Sequence, residues 1–215
     1  MPAADAVSLL EAVDLACLRG GRLLLEAVSW RLGPGDALLL KGANGSGKSS
    51  LLRLLAGFLR PAGGRLLHEG RNAFEDLPRY RASLHHLGYQ DGLKPALTVA
   101  ENLESTAALL GGGGDSGQLD AALEAFALVD LRSTPARFLS SGQRRRTALA
   151  RLVAVERPVW LLDEPGIGLD RSNRDALEAL IGRHRALGGI AVVASHGDVA
   201  LARPLVLDLD GPGTS

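Results

Sequence analysis

The stretch from Ala37 to Phe58 constrains the fold more tightly than any other part of the chain. Ala37, Leu38, Leu39 and Leu40 form a compact apolar run suited to a buried strand, and Lys48 to Phe58 places Leu51, Leu52, Leu54, Leu55 and Phe58 at helical spacing. Between them Gly42-Ala43-Asn44-Gly45-Ser46-Gly47-Lys48-Ser49 satisfies G-x-x-x-x-G-K-[ST]. A strand that turns through such a loop into a helix offers an anion a row of backbone N–H groups and the positive end of the helix. The segment from Gly42 to Ser50 is therefore read as a cradle for nucleotide phosphates, with Lys48 on the β- and γ-oxygens and the Ser49 hydroxyl on Mg²⁺.

The surrounding pattern predicts an α/β fold built on a mainly parallel sheet. Val7 to Leu32 reads as short antiparallel strands and turns, Arg65 to Arg71 as hairpin-like, and Leu97 to Arg157 as helical with an interruption at Gly111–Gly114. From Val159 the order is strand (Val159–Leu162), helix (Asn173–Leu187), strand (Ile190–Ser195) and strand (Pro204–Leu209). Strands alternating with helices indicate one domain over residues 1–215, with a core of about 7–90 and 157–210 and a helical insert of about 91–156. The 215 residues are 46% apolar, enough for a sizeable core. Basic and acidic residues number 24 each, so no global field favours a nucleic-acid partner. The single Cys17 excludes a disulfide scaffold and fits a reducing compartment. No apolar run reaches the roughly 18 residues of a membrane span, and no basic-then-apolar leader opens the chain. The expectation is a soluble, cytoplasmic protein that reaches a membrane only through partners.

Val159-Trp160-Leu161-Leu162-Asp163-Glu164 is an apolar strand ending in two carboxylates. Beside a phosphate loop, the Asp of such a pair holds the metal, directly or through water. Successive strand residues face opposite ways, so Asp163 and Glu164 are expected on different faces and in different roles. That split assigns Asp163 to Mg²⁺ and Glu164 to the base that polarises the attacking water.

Leu139-Ser140-Ser141-Gly142-Gln143 precedes the acidic strand, and with the two motifs above it resembles the signature of the ATP-binding subunits of ABC transporters. The resemblance spans nearly the whole chain and implies the ABC type of P-loop NTPase fold, with an antiparallel β subdomain and a helical insert carrying the signature. It implies ATP as substrate, Mg²⁺ as cofactor, Gln90 at a glutamine loop that also meets the metal, Asp170 (after Leu169) at the D-loop, and His196 (after Ser195) as a switch histidine. Ser140 reads independently as the N-cap of a helix with Ala148, Leu149, Leu152 and Val153 on its apolar face and Pro158 beyond its end. In the family two copies face head to tail, so Ser140, Ser141, Gly142 and Gln143 would meet the γ-phosphate held by a second copy. Arg144-Arg145-Arg146 reads either as a solvated helix face or as part of the field around the nucleotide.

Two departures from the family pattern stand out. Ser141 stands where the common signature has a glycine, and Gly142 keeps the other. The register of the aromatic that commonly stacks on adenine falls on Arg19, with no Tyr, Phe or Trp from Leu15 to Leu25. A guanidinium can stack on a π face, so Arg19 or Arg22 is expected to substitute, with little discrimination between ATP and GTP. Within the family, Cys17–Arg22, Gly88–Thr98 running into Glu101-Asn102-Leu103, and Leu139–Arg146 resemble the ATP-binding subunit of the haem exporter of bacterial cytochrome c maturation. That resemblance implies a homodimer of ATPase subunits on the cytoplasmic face of the inner membrane, peripheral to integral membrane subunits that handle haem. The chain ends soon after its last strand, which fits a subunit without a C-terminal regulatory domain. Direct haem binding is not expected: His68, His85, His86, His184 and His196 lie in no Cys-x-x-Cys-His pattern. The alternatives are another small ABC importer or exporter and a soluble ABC ATPase acting on DNA or the ribosome; the short insert, single copy and zero net charge disfavour the latter.

Overall fold

A computed structural model describes residues 9–20, 22–111 and 116–210; the side chains of Arg19 and Arg22 lie outside the described part. Two sheets form. The first is antiparallel, in the order β2-β1-β4-β5, from β1 (Leu10–Arg19), β2 (Arg22–Leu32), β4 (Gly63–His68) and β5 (Arg71–Asn72). The second is parallel, in the order β6-β7-β8-β3-β9, from β3 (Ala37–Lys41), β6 (Leu84–Leu87), β7 (Val159–Asp163), β8 (Ile190–Ala194) and β9 (Leu205–Asp208). Every residue of β7 and β8 is buried, which is why these strands read as continuous apolar runs.

The period of two divides the apolar interior. Val159 and Leu161 of β7, with Ile190, Val192 and Ala194 of β8, join one core; Trp160 and Leu162, with Ala191 and Val193, join the other. In the first core, helix α1 (Lys48–Leu55) lies between the two sheets, its leucines against Leu10, Leu15 and Leu32 on one side and Leu38, Leu161 and Val192 on the other. The second core holds the helical insert, α3 (Val99–Leu109), α4 (Ser116–Ala125) and α5 (Ser141–Ala154), together with α6 (Arg171–Ala186). Helix α3 is capped by a reciprocal Thr98–Glu101 box, and the Asn102 amide bonds Lys94, Leu97 and Thr98 to fix the approach to it.

Several boundaries differ from expectation for local reasons. Helix α1 stops at Leu55 because Gly57, at φ 74°, turns the chain: Gly57 N–H donates to Leu54 O and Phe58 N–H to Arg53 O, each at 2.8 Å. Between Ala125 and Ser141 the insert is not α-helical but carries two 3₁₀ turns, Val129–Leu131 and Ala136–Phe138. Gly112–Gly114 of the expected interruption lie outside the described residues. The short helix α2 (Leu77–Arg81) and strand β6 were not anticipated. In the antiparallel sheet Gly64, at φ 71°, leaves no room for a side chain, since a Cβ there would lie 2.1 Å from the Asp14 carbonyl. No helix among the described residues is long and apolar enough to cross a membrane.

His85 gives the core an acid sensitivity. It is 6% exposed on β6, and its Nε2–H donates to the Val155 carbonyl at 2.7 Å. Burial pushes its pKa down to about 4. The unfolded ring takes up a proton near pH 6.5, so between about 6.5 and 4 the unfolded state binds more protons and stability falls as pH falls. Burial lowers His68, His86 and His184 in the same direction. His85→Gln keeps a donor at the Nε2 position and cannot ionise; it should reduce the stability lost between pH 7 and pH 5 by about 2 kcal/mol. Urea denaturation at the two pH values measures this, and an unchanged loss would refute the role given to His85.

Candidate active site

The loop between β3 and α1 is shaped by glycines. Gly42, Gly45 and Gly47 have φ of 142°, 87° and 107°, and a Cβ on Gly42 would lie 2.5 Å from Ser46 Oγ. No side chain caps α1 and its first turn holds no acidic residue, so the positive end of the helix faces the loop. The Lys48 ammonium donates to Gly42 O at 2.6 Å and Ala43 O at 3.0 Å, which fixes it over the loop. From the far edge of the sheet, Asp210 accepts from Ala43 N–H at 2.5 Å. The Ser46 hydroxyl turns inward and is buried.

The acidic turn departs from the expected geometry. Asp163 and Glu164 do not face opposite ways; both line one cleft, because Glu164 lies past the end of β7 with φ 46° and breaks the strand alternation. They are 5% and 8% exposed. Burial lifts the Glu164 carboxyl above its ordinary range; the charge of Asp198 adds to this, while His196 and Lys48 pull it down. His196 Nε2 is 2.9 Å from Asn44 Oδ1 and 3.3 Å from Glu164 Oε1, joining the phosphate loop to the acidic turn. Behind them Ser195 Oγ–H donates to Asp198 Oδ1 and accepts from Gly197 N–H. The other Asp198 oxygen lies 2.5 Å from where a Cβ on Gly166 would sit, so a side chain there would have to displace Asp198.

These elements enclose a cleft of about 560 Å³, a volume ordinary for small-molecule sites. Asn44, Gly45, Gly47, Lys48, Ser49 and Ser50 form one wall; Asp163, Glu164 and His196 face them; Leu24, Tyr89 and Ile167 complete the lining. Gly42, Ala43 and Ser46 are outside this lining and support the loop. Gln90 is exposed beside Tyr89 and is not part of the wall. The signature residues stand outside it too. Ser140 and Gln143 form a reciprocal capping box on α5, with Ser140 Oγ accepting from Gln143 N–H at 3.2 Å and Gln143 Oε1 from Ser140 N–H at 2.8 Å. Ser141 is exposed, and Gly142 packs so that a Cβ would lie 3.1 Å from Gly168 O. Asp170 caps α6 by accepting from Asn173 N–H. The Arg19 side chain lies outside the described residues.

Ser49 and Asp163 suit Mg²⁺. A hydroxyl and a carboxylate sharing one cleft are hard oxygen donors, and no group of three or more His, Cys, Asp or Glu among the described residues could hold a metal alone. A cation there would complete its shell with phosphate and water oxygens, as Mg²⁺ commonly does.

Sequence reasoning missed Arg145. The triplet Arg144-Arg145-Arg146 forms no solvated face: Arg144 donates to Leu139 O and Arg146 to Phe126 O and Ala127 O. Arg145 is buried and reaches the carbonyls of Asp163, Glu164 and Pro165. A run of like side chains carries no signal of which one turns inward. Tyr89, read only as part of the Gly88–Thr98 segment, and Asp198, which belongs to no motif, were not singled out either.

The family model described as ABC transporter matches residues 25–166. The cytochrome c biogenesis ATP-binding export protein CcmA of Rhodospirillum rubrum is 49% identical over 206 residues, 96% of this chain and 88% of that protein. The protein of the same name from Pseudomonas aeruginosa is 42% identical, over 90% of this chain and 95% of its own length. Among solved structures, the ATP-binding subunit of an ABC transporter superposes with a TM-score of 0.78 at 25% identity, covering 88% of this chain and 80% of that one. A component of an ABC transporter complex from Clostridium perfringens has a TM-score of 0.72 at 24% identity, covering 88% and 78%. With a phosphate loop, an acidic strand end and a capped signature helix in one fold, the chain belongs to the ABC transporter family of ATP-binding proteins.

Proposed function

We propose that this protein is the ATP-hydrolysing subunit of a membrane ABC complex for cytochrome c biogenesis, driving haem export or the release of a haem-loaded carrier. The observation that carries the reading is the facing of Lys48 and Ser49 by Asp163, Glu164 and His196 across one cleft, in a chain 49% identical to a cytochrome c biogenesis export protein.

Lys48 and the N–H groups from Gly42 to Ser50 bind the phosphates, and Ser49 and Asp163, together with Gln90, would hold Mg²⁺. When bound, that ion would supply neutralisation of charge on the phosphate oxygens. Glu164 accepts a proton from water as the water oxygen bonds to the γ-phosphorus and the bond to the bridging oxygen breaks, leaving ADP and phosphate. Its raised proton affinity supports that role. His196, placed between Asn44 and Glu164, contacts the γ-phosphate or orients the water.

Hydrolysis needs a second copy, whose Ser140, Ser141, Gly142 and Gln143 close on the γ-phosphate, with Asp170 beside the joint. The support is geometric: the N-terminus of α5 stands apart from the cleft of its own chain. Closure on ATP and opening after cleavage give integral membrane subunits a two-state element to read, with Gln90 as the link. The protein works at the cytoplasmic face of the bacterial inner membrane, supplies motion, and does not itself bind haem.

Glu164→Gln should retain nucleotide binding and lower turnover about a hundredfold or more, with an ATP-dependent dimer persisting on gel filtration; near-normal hydrolysis would remove Glu164 from the role of base. Lys48→Ala should instead abolish tight nucleotide binding in equilibrium titration. With Arg19 where an aromatic is common, competition binding should show ATP favoured over GTP by less than about a hundredfold, since stacking reads little of base identity. Deletion in the source organism should eliminate all c-type cytochromes and leave b-type cytochromes intact; c-type cytochromes at normal levels would exclude the pathway.

A further inference from the structure

Arg145 gathers more of the site than any residue of the motifs. It is the fifth residue of α5, and its side chain is 6% exposed. Its Nη2 donates to Asp163 O at 2.9 Å and Glu164 O at 2.7 Å, and its Nε to Pro165 O at 3.3 Å. Three consecutive carbonyls converge on one guanidinium because Glu164, at φ 46°, bends the chain around it. A long side chain adopts that conformation rarely and holds it only where the surroundings enforce it. The remaining nitrogen, Nη1, turns the other way, to Gly88 O at 3.1 Å and Asp91 Oδ1 at 3.4 Å, the two sides of Gln90. Farther along α5, Arg151 donates to Gly92 O at 3.0 Å, so two arginines of this helix hold the segment from Gly88 to Gly92.

We propose that Arg145 is a positioning residue for Glu164, and that its fork carries displacements of the Gly88–Gly92 segment to the acidic turn. The proposal rests on the reading of Glu164 as the base. The planar guanidinium spans five acceptors in two segments, whereas a lysine would offer one nitrogen and could not serve both sides. Asp91 supplies the countercharge to this buried cation from the residue next to Gln90. A shift of that residue therefore changes the field and the hydrogen bonds at Arg145 together, without any contact between Gln90 and Glu164.

The test uses the purified full chain. Arg145→Lys keeps the charge and loses the fork. Its kcat should fall roughly tenfold or more, the scale expected of a misplaced catalytic group, while KM and the Kd for a fluorescent ATP analogue stay within about threefold. Asp91→Asn, which breaks the ion pair and leaves the carbonyl bonds, should lower kcat in the same sense by a smaller factor. Millimolar guanidinium chloride, against sodium chloride at equal concentration, should restore part of the turnover of Arg145→Ala. The proposal is overturned if Arg145→Lys turns over within about twofold of the unsubstituted chain, or if kcat and nucleotide affinity fall together, as a general loosening of the fold would produce. Should Arg145→Ala fail to fold, Arg145→Lys and Asp91→Asn decide. Glu164→Gln measured in parallel separates the two readings: normal turnover there removes the base itself, whereas a stalled Glu164→Gln beside a normal Arg145→Lys removes only the brace.

Discussion

Helix α1 has no solvent face for its leucines. Leu51, Leu52, Leu54 and Leu55 are each at most 1% exposed between the two sheets, and burial of such side chains stabilises by about 1.5–3 kcal/mol apiece. That constraint decides where the first residue of the helix lies, and so where Lys48 and the positive end of the dipole point. The parallel sheet supplies the rest. Strands β3, β7 and β8 run the same way and pair directly, β7 with β8 and β8 with β3, so the segments that follow them emerge at one edge. Those segments are the phosphate loop, the Asp163–Glu164 turn and the Ser195–His196 turn. The crevice outside the carboxyl ends of parallel strands is the general location of ligand sites in such sheets. Here it is fixed by a packing requirement that involves no ligand.

Zero net charge describes the whole chain and not the neighbourhood of the cleft. Arginines act mainly on backbone there and nearby. Arg145, Arg146 and Arg151 of α5 donate to carbonyls of turns and of the last residue of β7. Arg185 of α6 does the same for Gly35 and Ala202. Buried carbonyls need donors, and a guanidinium brings several in one plane. The Gly88–Gly92 segment and the Asp163–Pro165 turn are thus held by side chains from one regular helix, which places a rigid element behind two of the connections near the cleft.

Legibility from sequence followed the strength of the local physics. The strand–loop–helix at Ala37–Leu55 and the fully buried β7 and β8 were readable because periodicity, glycine placement and burial agree there. The Ser140 cap was readable because Ser140 and Gln143 stand at the spacing that lets each bond the other's backbone N–H. Strand β6 was hidden by His85 and His86 in a four-residue element, although the buried pairing of His85 with the Val155 carbonyl makes it as apolar in effect as its neighbours. Helix α2 carried its cap, Asp76 accepting from Arg79 N–H, but five residues show no periodicity. The alternation rule failed at Glu164 because a left-handed residue ends the strand where the side chain must turn into the cleft. Arg145 was out of reach for another reason: its partners are 18 to 57 residues away, and nothing local distinguishes it from Arg144 or Arg146.

The bond from Ala43 N–H to Asp210 spans 167 residues. Strand β3, from which the loop springs, has as its two neighbours β8 and β9, the last strands along the chain. During synthesis from the N-terminus, β3 and α1 leave the ribosome long before either neighbour exists, and the loop between them stays unpinned until β9 and Asp210 arrive. Contacts of such separation form late and slowly. A nascent chain therefore displays the phosphate-binding motif before the framework that shapes it exists, and the loop gains its partner only once β8, β9 and Asp210 have been made.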